Sequence, residues 1–69
     1  MKFARLRGDI RTVFGTQANF AEALGVDNSS LSAKLNGKTP WKREEIELAC
    51  KLLGIEITQV FTYFFDEKF

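Results

Sequence analysis

Four glycines divide this chain into pieces too short to fold alone. Gly15, Gly25, Gly37 and Gly54 fall between stretches whose apolar residues recur at helical spacing. An isolated helix shorter than about 12–15 residues is marginal in water, so these pieces must bury their apolar faces against one another. The first stretch places Phe3, Leu6, Ile10, Val13 and Phe14 on one helix face. Thr16 is placed to cap a second helix, whose inward residues are Phe20, Ala21 and Leu24. Asp27 is an N-cap for a third, Asn28 to Asn36, facing inward through Leu31 and Leu35. Pro40 suits the first turn of a fourth helix, with Ile46, Ala49, Cys50 and Leu53 inward and Leu48 and Leu52 widening the stripe. Thr58 caps a short fifth helix carrying Val60, Phe61, Phe64 and Phe65, and the tail from Asp66 to Phe69 is expected to fray. The expectation is one all-α domain over residues 1–69, a compact bundle of five short helices.

Size and composition exclude much of chemistry. A chain of 69 residues buries only about 60% of the surface it exposes when unfolded, so most of its apolar groups are needed for the core. There is no histidine and one cysteine, Cys50. That removes Cys/His zinc sites, Ser-His-Asp and Cys-His catalysis, and internal disulfides. No Gly-rich phosphate loop is present. Glu44 and Glu45 are adjacent, and adjacent helical residues do not face each other. The chain therefore reads as a protein that is not an enzyme, with no cofactor, metal or small-molecule substrate. The start lacks the apolar run of a signal peptide. The longest uncharged apolar-rich stretch, residues 57–65, falls well short of the roughly 20 residues of a membrane span. A cytoplasmic protein with no membrane partner is the expectation.

Charge is unevenly spread. Residues 28–43 carry Lys34, Lys38, Lys42 and Arg43 and no acid, whereas residues 44–69 are acidic on balance. A local cationic stretch is what a phosphate-binding surface requires. It overlaps and follows the end of the segment Gln17 to Gly37, QANFAEALGVDNSSLSAKLNG. There, two short helices flank Gly25. Ala21 lies where they cross, and a larger side chain would push them apart. Gly25 supplies the positive φ of a sharp turn. Val26 and Leu31 pin the second helix of the pair to the core. A helix held outward in this way fits the DNA major groove.

The segment resembles the helix-turn-helix of the Cro and phage-repressor family, with a lambda-repressor-like fold. The residues that carry the resemblance are Gln17, Phe20-Ala21, Leu24-Gly25-Val26, Leu31-Ser32 and Asn36-Gly37-Lys38, continuing through Ile46-Glu47-Leu48-Ala49 and Leu52-Leu53-Gly54-Ile55. The resemblance implies a helix-turn-helix over residues 16–36 and sequence-specific binding of double-stranded DNA by a phage or prophage-type transcriptional regulator. It places residues 28–36 in the major groove, with Asn28, Ser29, Ser32 and Ala33 at base edges. Gln17, Lys34, Asn36, Lys38, Lys42 and Arg43 are then the phosphate contacts, and Gln17 also braces the reading helix. Two departures stand out. Lys34 occupies a position where many members carry an apolar residue, with Leu35 taking over the packing. The reading helix has no glutamine or arginine, which leaves part of the specificity to DNA shape.

The aromatic C-terminal end reads as a homodimer contact through Phe61, Tyr63, Phe64, Phe65 and Phe69, on an operator with two half-sites. The alternative is that these rings fold back onto the first helix, against Phe3 and Leu6. Trp41 and Cys50 read as packing residues, and Arg5, Arg7 and Arg11 as a solvated face of the first helix from which one of them could reach a phosphate. A second functional reading is a protein-interaction module on the same fold, antirepressor-like, with little affinity for DNA.

Overall fold

The computed structural model describes residues 3–64, without the side chains of Ile57 and Phe61. Its elements are α1 (Ala4–Phe14), α2 (Gln17–Leu24), α3 (Asn28–Leu35), α4 (Arg43–Leu53), a 3-10 turn (Ile57–Gln59) and α5 (Val60–Phe64). This is the expected small all-α bundle of five short helices.

Local chemistry sets the helix ends. Thr16 is extended, and its Oγ1 accepts the Asn19 N–H at 3.1 Å, so α2 starts beside it. Gly25 is left-handed, with φ of +85°. Its N–H and that of Val26 both turn back to the Ala21 carbonyl, at 2.9 and 3.0 Å. An L-residue with a Cβ pays about 1–2 kcal/mol in that conformation, which is why the turn between α2 and α3 is built on glycine.

Several boundaries differ from expectation. The third helix ends at Leu35, with Asn36 as its C-cap. Asp27 stands at the N-cap of α3, but its side chain makes no capping bond. Pro40 lies outside α4. The Glu45 Oε1 accepts the Lys42 N–H at 2.8 Å and makes Lys42, not the residue before Pro40, the start signal. Thr58 is inside the 3-10 turn. Val13 keeps helical spacing with the core residues yet stands 53% exposed, while Phe14 in the same turn reaches the core and meets Phe20 edge-on with ring centroids 5.2 Å apart.

The core forms where the inner faces meet. Leu6 and Ile10 of α1, Phe20, Ala21 and Leu24 of α2, Leu31 and Leu35 of α3, and Ala49, Cys50 and Leu53 of α4 make one cluster, joined by Ile55 and Phe64. α2 lies in the middle and touches α1, α3 and α4. Burial pushes the Cys50 thiol above its ordinary range, in keeping with a packing role. Trp41, in the loop before α4, is half-buried and meets Phe3 and Phe64 edge-on, with ring centroids 6.2 and 5.1 Å apart.

Ala21 is only 2% exposed at the centre of this arrangement. We expect Ala21→Leu to lower the unfolding free energy by about 1–3 kcal/mol through overpacking. Urea denaturation followed by circular dichroism checks this; an unchanged midpoint would show that the α2 crossing has room to spare.

Candidate nucleic-acid interface

Buried on one side only, α3 sends Leu31, Lys34 and Leu35 inward and leaves Asn28, Ser29 and Ser30 exposed, with Ser32 and Ala33 half-buried. The outward face is therefore small and polar. Such side chains let a partner surface approach the helix closely.

Two side chains from other helices hold α3. Near its start, the Gln17 Nε2 donates to Asn28 Oδ1 at 2.9 Å and to Ser32 Oγ at 2.7 Å. One amide thus ties the first two turns of α3 to the start of α2. With its oxygen turned toward Gln17, the Asn28 amide directs its NH2 away from that contact. At the other end, the Arg7 guanidinium donates to the Leu35 carbonyl at 2.7 Å and to Asn36 Oδ1 at 2.9 Å. The last carbonyls of a helix have no partner within it, and a cation there also meets the negative end of the helix dipole.

Lys34 corrects the sequence expectation. It is 5% exposed, and its Nζ lies 3.4 Å from Glu45 Oε1. A lysine buried among Leu31 and Leu35 and paired with a carboxylate does not face a phosphate. Both Lys34 and Leu35 are inward, so Leu35 does not replace the packing at position 34 but adds to it. The same Glu45 oxygen accepts the Lys42 N–H, so one carboxylate fixes α3 to the start of α4.

The other predicted phosphate contacts fall into two groups. Lys38, Lys42 and Arg43 are exposed around the loop between α3 and α4. Lys38 and Thr39 donate their N–H groups to the Ala33 carbonyl, at 2.9 and 3.3 Å, which folds that loop back on α3. The Arg43 Nε pairs with Glu47 Oε2 at 3.2 Å on the exposed face of α4, so its charge is partly neutralised. Asn36 is exposed but engaged by Arg7, and the two donor hydrogens of the Gln17 amide are spent on α3.

At the C-terminal end, Phe64 is 3% exposed and packs on Trp41, so it belongs to the core rather than to a dimer face. Tyr63 is half-buried and bonds to Asp9 of α1. These two rings take the alternative of folding back onto the chain itself. The Phe61 side chain, Phe65, Phe69 and the tail from Asp66 lie outside the described residues.

Sequence reasoning missed Arg7. Its sequence reading is that of Arg5 and Arg11, yet it borders the inward stripe at i+4 from Phe3 and next to Leu6. A long cationic side chain at the edge of a buried stripe is the signal that could have found it.

Fold and site together define a small all-helical domain whose third helix is clamped at both ends and shows a short polar face to solvent. The chain belongs to a family described as a protein of unknown function, DUF739, whose model matches residues 1–67. No curated protein matches it. No helix among the described residues is long and apolar enough to cross a membrane.

Two predictions follow from these contacts. Glu45→Gln should destabilise the protein by on the order of 3 kcal/mol, because it leaves the Lys34 charge buried without its counterion, while Lys34→Met should be neutral or stabilising. Chemical denaturation of both variants decides it; equal losses would mean that the cost lies in the lost attraction and not in a stranded Lys34 charge. The second concerns Tyr63, the one tyrosine in the chain. The hydrogen bond to Asp9, then burial and the Asp9 charge, hold its hydroxyl above the ordinary value, with Arg5 opposing. Because the folded-state pKa is raised, this contribution to stability is complete below about pH 10 and is lost as pH rises through the folded value. Phenolate absorbance should therefore titrate above an ordinary tyrosine, and Asp9→Ala should bring it back.

Proposed function

We propose that this protein binds double-stranded DNA, with α3 in the major groove, as a phage or prophage-type transcriptional regulator. The observation that carries the reading is the outward face of α3. Asn28, Ser29 and Ser30 are exposed on a helix fixed from both ends, and residues 28–43 contain no acid. A duplex presents a dense row of phosphates, and a segment without carboxylates meets them without like-charge repulsion.

Asn28 and Ser29 take the base-reading role, with Ser32 and Ala33 deeper on the same helix. The NH2 of Asn28 is the free donor, suited to acceptors on a base edge such as the N7 and O6 of guanine or the N7 of adenine. Lys38 and Lys42 take the phosphate role, since they are exposed beside the end of α3. At eight residues, α3 is only about 12 Å long and spans a few base pairs. A homodimer on an operator of two half-sites would double so small a reading surface, with half-sites about 34 Å apart.

Asn28→Ala and Ser29→Ala should weaken binding to the selected site by roughly 1–3 kcal/mol and leave binding to random DNA almost unchanged. Lys38→Ala should weaken both alike and reduce the salt dependence. The site is obtained by selection from a random pool, and affinities are measured across a salt series. A wild-type protein without salt-sensitive affinity for any duplex would overturn the proposal and favour the protein-interaction reading.

A further inference from the structure

Ala4, Arg7, Gly8 and Arg11 follow one another at i, i+3, i+4 and i+7, so they share one stripe of α1. That stripe is one wall of a groove of about 490 Å³, whose other wall is made by Gln17 and Leu35. The groove therefore runs beside α3: Gln17 holds the first half of that helix, and Leu35 is its last residue. Its lining holds two guanidinium-bearing residues and no acid. Arg7 is committed to the end of α3. Arg11 is exposed, and its side chain has no hydrogen bond or ion pair among the described residues. At Gly8, a Cβ would meet nothing within 4 Å, so the wall is open where a chain would pass between the two arginines.

A helix with its side chains is about 10–12 Å across, and the major groove is about 12 Å wide. A duplex seated on α3 thus brings a phosphodiester strand close to each border of the helix. Lys38 and Lys42 follow α3 in the chain, and the groove lies on its α1 side. We propose that this groove takes the sugar–phosphate backbone of one DNA strand, with Arg11 donating to a phosphate oxygen. The exposed methyl of Ala4 meets the deoxyribose, and Arg7 forms the end wall. The inference rests on the DNA-binding reading and adds a second phosphate-binding surface, on α1, in which Arg11, of the three arginines of that helix, makes the contact.

The test measures affinity for random duplex DNA across a salt series for the wild-type protein, Arg11→Ala, Gly8→Leu and Lys38→Ala. Gly8→Leu fills the groove without changing charge, at an exposed helical position where leucine is the better helix former. Circular dichroism confirms that each variant is folded. Arg11→Ala should reduce the slope of log affinity against log salt by about 0.9. Wild-type binding should then fall roughly threefold more than that of the variant between about 50 and about 200 mM salt. Gly8→Leu should weaken binding at low salt although its charge is unchanged. If both variants match the wild-type protein while Lys38→Ala loses affinity, the groove assignment is wrong and the DNA-binding reading stands. If the wild-type protein binds no duplex, both fall. Inorganic phosphate should compete only as a salt does; saturable competition at low millimolar concentration would assign the groove to a free anion and overturn the strand proposal.

Discussion

An eight-residue helix does not hold itself together in water, and the rest of the structure is arranged around supplying what α3 lacks. Only three of its residues are buried, and one of those is a lysine. Leu31 and Leu35 supply the apolar contact. Lys34 is admitted to the interior because Glu45 lies 3.4 Å from its ammonium group, which removes most of the cost of burying a charge. Gln17 and Arg7 then satisfy polar groups at the two ends. The outcome is a helix held by few apolar groups and several directional bonds. Its orientation is better determined than burial alone would make it, since hydrophobic contact is non-directional.

The same economy explains why α2 is the central element. It is short, but Phe20, Ala21 and Leu24 face three neighbours. The alanine is there because the helices come close, and the glycine after it because the chain must reverse at once. With so little interior, three helix ends are fixed by individual bonds: Thr16 for α2, Glu45 for α4, Arg7 for α3.

Much of this fold is written in local pattern. The apolar spacing marks every helix, and the glycines and Thr16 mark the breaks. The boundaries that differ are those decided by contacts between distant residues or by competing caps. Pro40 is a good first-turn residue, yet the Glu45 side chain reaches Lys42 and begins the helix later. Lys34 reads as a surface cation because lysine usually is one; its partner eleven residues on, in another helix, is invisible to a periodicity argument. Arg7 is hidden for the same reason, its acceptors lying twenty-eight and twenty-nine residues away. The outward positions of Asn28 and Ser29 follow from spacing alone, whereas the direction of the Asn28 amide is set by Gln17, eleven residues away on another helix.

The double bond from Gln17 has a consequence for how this surface can change. Positions 17, 28 and 32 behave as one unit, because a single amide serves two acceptors on α3. A replacement at position 28 without an oxygen in the right place would strand a donor as well as alter the outward group. New preferences at the helix face are therefore reached by paired substitutions rather than single ones, and residues 17 and 28 should be strongly non-additive. Ser29, exposed and without a described hold from another helix, has no such tether. It is the position at which this surface can vary one residue at a time.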